Sequence, residues 1–397
     1  MSQEIVRRKN KIVQAGALRD ITDDLRVAAE RSLFIFSKGI MGMNDFQAHL
    51  HLPLCNWLQG VPPREKMLLT PRDTFKTSMA RCLGMHITIQ PASANLYFPG
   101  RKGTNLRLLY AAENERKALS RIGWIRRQYE SNDLFRALWP DVTWANPDQD
   151  SPTWTTSHFS LPRDEDYPEA TFESAGVDSG STGGHYDVII KDDLIGLRSR
   201  KQPQLMVAAI EWWKTSHSLR NNPAVSLDYV FGTRWAAEDL YSYMEENEHT
   251  YDYTILSARQ QLRLNANGHP YGFGGGNTLL FPERLDSEKL AEMQRKYGEL
   301  YYLNYENKAV GAGTTAFNMD FCGRFTLDVC GPTATITYDE SGPTARILEM
   351  IDAGNVVPQL NARIQPFYKL SGEQRTERWN EMIRRWHQDK LTSVEMR

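Results

Sequence analysis

Three short stretches carry side chains that together could hold a phosphate and a divalent cation. The first is Leu68-Leu-Thr-Pro-Arg-Asp-Thr-Phe-Lys-Thr-Ser78. An apolar run gives way to Thr-Pro, then to a lysine and two hydroxyls, and a good helix-forming stretch follows at 79–85. A tight loop of this kind aims backbone N–H groups and a helix N-terminus at one point, which favours an anion. Lys76 would place its ammonium on β/γ-phosphates, and the Thr77 hydroxyl would reach Mg²⁺. The whole loop, Thr70, Pro71, Arg72, Asp73, Thr74, Phe75, Lys76, Thr77 and Ser78, is the candidate nucleotide cradle. The usual phosphate-loop pattern wants glycine at 70 and 75, where φ > 0 and close approach are needed; this chain has Thr70 and Phe75. Read alone, the stretch also fits an ordinary strand–turn–helix with a surface lysine.

The second stretch is Tyr186-Asp-Val-Ile-Ile-Lys-Asp-Asp-Leu194. An apolar strand ending in two acids can fix Asp192 in the shell of a Mg²⁺ ion. Asp193 can then orient and polarise an attacking water. Two adjacent carboxylates ending a buried strand are costly without a cation; the alternative is a bare strand end with surface acids. The third is Ser226-Leu-Asp-Tyr-Val-Phe-Gly-Thr-Arg-Trp235. A hydroxyl or guanidinium at that strand end, Thr233 or Arg234, can sense a terminal phosphate and pull on the next segment.

These side chains need a scaffold. Residues 105–112 read as a buried strand, and 114–131 as an amphipathic helix with Ala118, Leu119, Ile122, Ile125 and Tyr129 on its apolar stripe. Its other face carries Arg116, Lys117, Arg121, Arg126 and Arg127, which suits DNA phosphates or merely a solvated surface. Short strands are expected at Thr153–Leu161 and Ala170–Ser174, a flexible Gly/Ser loop at 176–184, and a helix from about Gln202 to Arg220. Asp239 and Leu240 open another helix. Strands alternating with helices over 65–260 predict a mainly parallel α/β sheet, flanked by helices, with its ligand at the strands' C-terminal ends. Upstream, residues 1–45 read as helical, and the polar–aromatic cluster at 44–51, with Gln47, either holds a base or packs a helix.

Composition sets outer limits. The chain has 397 residues with 41% hydrophobic content, enough for two or three domains and a sizeable core. Cys55, Cys82, Cys322 and Cys330 lack metal-ligand spacing and read as reduced thiols. The charged N-terminus does not read as a secretory signal, and no run of 18 apolar residues occurs. A net charge of −2 is not that of a static DNA-coating protein.

Taken in order, PRDTFKTS, GGHYDVIIKDDLIG and VFGTRWAAEDLY resemble the large terminase subunits of tailed bacteriophages. So does LLFPERLDSEKLAEMQRKYGELYYLNYENKAV at 279–310, which is similar to the segment closing the terminase ATPase core. The resemblance covers roughly residues 40–310. Terminases often carry a loop of the form Pro-Arg-x-x-x-Lys-Thr, without the glycines. The resemblance implies a P-loop (ASCE-type) NTPase over 46–310 that uses ATP and Mg²⁺. Arg72 would contact the γ-phosphate, Lys76 and Thr77 would hold phosphates and metal, and Asp192 would hold the metal. Asp193 would be the catalytic carboxylate, where many relatives have Glu, and Thr233 and Arg234 would couple hydrolysis to movement. The implied partners are double-stranded DNA, a portal protein on the procapsid, a small terminase subunit and further copies in a pentameric ring, all in the host cytoplasm. A neighbouring copy would supply an arginine finger, for which Arg198 and Arg200 are candidates.

Large terminases usually add an RNase H-like nuclease whose acids hold two Mg²⁺ or Mn²⁺ ions. After a linker at 311–324, Phe325–Cys330 fits its first strand, with Asp328 as the acid and metal ligand. Thr333–Asp339 and Arg346–Ile351 fit the next strands, Glu373–Gln388 a helix, and Leu391–Arg397 a strand bearing Glu395 as second acid. The expectation is an incomplete nuclease over 325–397, its remainder on a separate polypeptide or lost by truncation. Two rival readings are another DNA-dependent ATPase, such as a helicase, and a degenerate, non-catalytic nucleotide-binding fold used as a structural adaptor.

Overall fold

The apolar runs near 67–69, 108–112, 188–190 and 227–231 are continuous rather than alternating, the pattern of strands covered on both faces. In the computed structural model they form one sheet. Residues 23–179, 183–274 and 278–308 are described, with 325–330 and 333–338 as backbone alone. The sheet contains β1 (Glu65–Leu69), β2 (Leu108–Ala112), β3 (His158–Phe159), β4 (Phe172–Gly176), β5 (Val188–Asp192), β6 (Leu227–Gly232) and β7 (Asp252–Ile255). Its order is β3-β4-β2-β5-β6-β1-β7. Every pairing is parallel except β3 with β4. The expected α/β sheet is present.

The register decides what meets at its edge. Leu69 lies opposite Gly232 and Ile255, Phe231 opposite Asp192, and Asp192 opposite Ala112. Five strands therefore end within one residue of one another, and Thr70, Glu113, Asp193 and Thr233, just beyond four of them, share one rim.

Helices Ala48–Gln59, Lys76–Thr88 and Glu115–Ser131 pack one face through Leu54, Leu83, Ile122, Ile125 and Tyr129. Ala29, Leu33 and Phe36, from upstream of residue 45, belong to the same core. Helices Pro203–Ser216 and Leu240–Asn247 cover the other face through Ala209, Trp212, Leu240 and Met244. The 115–131 helix starts where predicted: the Asn114 side chain accepts from Lys117 N–H, and the helix buries Ala118, Ile122, Ile125 and Tyr129.

Three charged side chains of the central strands sit inside this apolar frame. Lys66 on β1 donates its ammonium to the carbonyls of Trp57 (2.6 Å), Leu58 (3.2 Å) and Gly60, satisfying the C-terminal carbonyls of the 48–59 helix. Burial pushes its pKa down to about 7. Lys191 on β5 is fully buried and pairs with equally buried Asp228 on β6 at 2.6 Å. Burial lowers the Lys191 pKa, and Asp228 opposes that shift.

Two expected strands are reshaped. Only His158–Phe159 of the 153–161 stretch is strand, bridged to Trp154, because Thr155 and His158 form a tight reversal. Thr155 N–H donates to the His158 carbonyl (2.9 Å), and the Thr155 hydroxyl accepts from His158 N–H (3.1 Å), so local bonds replace the ladder. The strand expected at 170–174 runs instead from Phe172 to Gly176, set by its pairing with β2. The sequence reading also did not anticipate an antiparallel hairpin of β8 (Gln261–Leu264) and β9 (Pro270–Phe273).

The chain divides into two units, Met1–Val310 and Gly311–Arg397. In the second, β10 (Phe325–Cys330) pairs antiparallel with β11 (Thr333–Tyr338). The strands expected at 346–351 and 391–397 and the helix at 373–388 lie outside the described residues. Among the described residues no helix is long and apolar enough to cross a membrane.

Removing Asp228 would leave the Lys191 ammonium unpaired in full burial. Asp228→Ala should therefore cost about 3–5 kcal/mol in chemical denaturation, against the smaller loss from a solvent-facing ion pair. A cost below about 1 kcal/mol would mean water reaches the lysine.

Candidate functional site

The rim of the sheet gathers the residues singled out from the sequence. Lys76 opens the 76–88 helix directly after the loop that leaves β1, and its Nζ lies 3.5 Å from Asp193 Oδ1. The next residue, Thr77, donates its hydroxyl to Asp192 Oδ1 at 3.0 Å. β1 and β5 are separated by β6, so two inter-strand steps of about 4.8 Å each are spanned by these two side chains. Asp193 sits just past β5 at φ +51°. Its N–H donates to the Phe231 carbonyl (2.9 Å), and its carbonyl accepts from Glu113 N–H (3.0 Å). It is thereby pinned to both neighbouring strands, while Oδ1 is buried with no hydrogen-bond donor.

The loop solves the glycine problem differently from the usual pattern. Position 75 does adopt φ +61°, with phenylalanine there; position 70 does not, and Asp73 takes φ +68° instead. A left-handed bulky residue costs on the order of 1–2 kcal/mol and persists only when its surroundings over-determine it. Phe75 is held by the rings of Phe46, His51 and Phe281, each about 6 Å away, and by the Arg284 guanidinium 4.7 Å above it. Left-handed residues in a tight loop before a helix are what a backbone anion concavity requires. The buried Thr74 hydroxyl, 2.7 Å from both the Thr70 hydroxyl and the Pro71 carbonyl, ties the loop to itself.

The 44–51 cluster packs on this loop. Phe46 stacks on His51 at 4.3 Å. Gln47, at the start of the 48–59 helix, donates its N–H to His51 Nδ1 at 2.8 Å, which leaves Nε2–H to donate to the Thr74 carbonyl at 3.3 Å. Ser78 is buried and its hydroxyl accepts from Arg81 at 3.2 Å.

Asp192 has partners the sequence reading missed. Its Oδ2 accepts from Arg121 Nε (2.9 Å) and from the Tyr110 hydroxyl (3.2 Å). Burial and the neighbouring Asp193 charge push its pKa up, and Arg121 and Lys76 oppose the shift. Arg121 is thus neither on an outward DNA-facing stripe nor on a solvated face. The remaining cations of that helix divide: Lys117 pairs with Glu113 and Arg126 with Glu130, while Arg116 and Arg127 are exposed. The clue available beforehand was position 121 itself, adjoining the Ala118–Ile122–Ile125 stripe.

At the third strand end, the Thr233 hydroxyl donates to the Thr70 carbonyl at 3.4 Å, joining the β6 exit to the loop. The buried Arg234 guanidinium pairs with Glu245 and, at 3.5 Å, with Asp239, both of the 240–247 helix and its cap. Gly232 precedes them because an added Cβ would lie 2.2 Å from the Tyr241 ring. Arg72 is exposed; its N–H donates to the Asn304 carbonyl (3.0 Å), and its guanidinium lies 5.1 Å over Trp235. Asn307 accepts from Arg234 N–H (3.2 Å) and donates to the Leu256 carbonyl (2.8 Å). The 279–308 segment therefore closes over the ends of β1, β6 and β7. Arg200 pairs with Glu299 at 2.9 Å, whereas Arg198 is exposed. Asp328 lies in β10 opposite Thr335, and Glu395 lies outside the described residues.

Among the described residues no group of three or more His, Cys, Asp or Glu could cage a metal. A Mg²⁺ site does not need one, since that ion takes one or two carboxylates plus substrate phosphates and water. The hard oxygens of Thr77 and Asp192, with the unsatisfied Asp193 Oδ1 beside them, fit that donor set. The chain matches no protein-family model and no curated protein sequence.

Burial pushes both His51 and His86 down to about 4 from an ordinary value of 6.5. The folded state excludes these protons while the unfolded state takes them up. Stability is thus fully present above about pH 6.5 and lost as pH falls toward 4, by up to about 3 kcal/mol per histidine. The unfolding temperature should fall across that window, and His86→Gln should flatten the slope. A curve unchanged between the two proteins would contradict the burial of a neutral His86.

Proposed function

We propose that this chain is the ATP-hydrolysing large terminase subunit of a tailed-phage packaging motor, moving double-stranded DNA. One observation carries the reading. Two segments separated by more than a hundred residues bring Lys76, Thr77, Asp192 and Asp193 together at one sheet rim. Further support comes from the strand order: β6 stands between the loop strand β1 and the acid strand β5, and its own end brings Thr233 to the loop between them.

In this reading ATP binds along the loop at 70–78. Lys76 neutralises the β/γ-phosphates, and Arg72, on the exposed side of the loop and braced by Asn304 and Trp235, reaches the γ-phosphate. Thr77 and Asp192 would hold Mg²⁺, which would supply charge neutralisation for the phosphates. Asp193 orients the in-line water; here positioning and charge stabilisation do most of the catalytic work. Its left-handed backbone, pinned to β6 and Glu113, aims a shorter carboxylate than Glu. Thr233 feels the loop directly at Thr70, and Arg234 passes that displacement to the 240–247 helix.

The same reading implies a ring of copies on the portal, with exposed Arg198 as the finger offered in trans; Arg200 is engaged by Glu299. The small terminase subunit, the procapsid and the host cytoplasm follow from the same reading. Asp328 and Glu395 are then the acids of an RNase H-like unit using two divalent ions.

Lys76→Ala should lower ATP turnover by at least about 100-fold while circular dichroism stays unchanged. Asp193→Asn should lose turnover comparably and still bind Mg·ATP. Unchanged turnover in Lys76→Ala would remove the site. Stimulation by duplex DNA without strand separation separates a packaging motor from a helicase.

A further inference from the structure

The Asp192 carboxylate is engaged on both oxygens before any ligand arrives. Oδ1 accepts from the Thr77 hydroxyl at 3.0 Å. Oδ2 accepts from Arg121 Nε at 2.9 Å and from the Tyr110 hydroxyl at 3.2 Å. Asp192 has no exposure, and the Arg121 side chain is 22% exposed. Lys76, the other cation of the site, is 3.5 Å from Asp193 instead. Each carboxylate thus has its own resident cation, and that of Asp192 comes from a different helix than the phosphate-binding loop.

From this arrangement we infer that Arg121 is a positioning residue that occupies Asp192 in place of a divalent cation and keeps the metal seat closed until nucleotide arrives. The inference rests on the nucleotide reading above. A lone dication approaching Asp192 would meet a guanidinium already on the same carboxylate, in a site of low dielectric where like charges repel strongly. A triphosphate brings several negative charges of its own. It offsets that repulsion and gives the displaced guanidinium a new acceptor. Metal and nucleotide are therefore taken up together, and the empty site does not load with metal. Arg121 is placed for this exchange: it is a long side chain reaching in from the 115–131 helix, and only its own torsions need change.

Mn²⁺ alone is the probe, read by loss of the free-ion electron paramagnetic resonance signal without nucleotide. Arg121→Gln should bind Mn²⁺ at least about tenfold more tightly than the parent chain, because the competing charge is gone. Arg121→Lys, which keeps a cation there, should stay close to the parent. A folded Arg121→Gln protein with parental Mn²⁺ affinity would overturn the inference; a residue that merely ties helix to sheet would give that result. The parent chain supplies an independent readout in the Arg121 Nε–H resonance. It should be unmoved by Mg²⁺ alone and shift when Mg²⁺ and a non-hydrolysable ATP analogue are added together. A resonance unchanged at saturation would overturn the inference. If the parent chain binds no Mg·nucleotide, the underlying reading fails; if it binds and Arg121→Gln leaves Mn²⁺ affinity alone, only the role of Arg121 fails.

Discussion

The ion pair between Lys76 and Asp193 depends on where strands stop. Leu69, Gly232, Phe231 and Asp192 are in register across β1, β6 and β5. A one-residue slip of any parallel strand would turn its side chains to the other face and carry either the lysine or the carboxylate out of reach. The buried Lys191–Asp228 pair joins β5 to β6, two of these three strands. A wrong register would leave both charges unpaired, so the pair acts against misalignment where alignment matters most. That such pairs specify rather than stabilise is a recognised use of buried charge.

Strain at the rim is compensated locally. Three non-glycine residues at the site, Asp73, Phe75 and Asp193, take left-handed backbone. Asp tolerates this region better than most side chains, and Phe75 is clamped by three rings from two separate parts of the chain. The cradle is thus preformed by packing rather than by glycine freedom. Such rigidity lowers the ordering cost of binding an anion there.

Much of this was legible from sequence. The parallel sheet followed from the alternation of strands with helices over 65–260, and the start of the 115–131 helix from Asn114. Lys76, Thr77, Asp192 and Asp193 were identified by type and position, and they do converge. What escaped notice shares one cause: each feature depends on partners distant in the chain. Phe75 looked like a defect because its clamp, Phe46 and Phe281, lies 29 residues before and 206 after it. Arg121 looked like a surface cation because helical periodicity places a residue at the edge of a stripe without saying what the stripe faces. Tyr110, Asn304 and Asn307 carry no motif at all. The strand expected at 153–161 failed because Thr155 bonds locally, which a tally of β-formers does not register.

The central claim is that one sheet rim grips a metal-bound triphosphate. The most direct measurement is a crystal structure of the chain with Mg²⁺ and a non-hydrolysable ATP analogue. The account predicts the terminal phosphates within hydrogen-bond reach of the Lys76 ammonium and the ion beside Thr77 and Asp192. A nucleotide bound elsewhere, or none at saturating concentration, would contradict it.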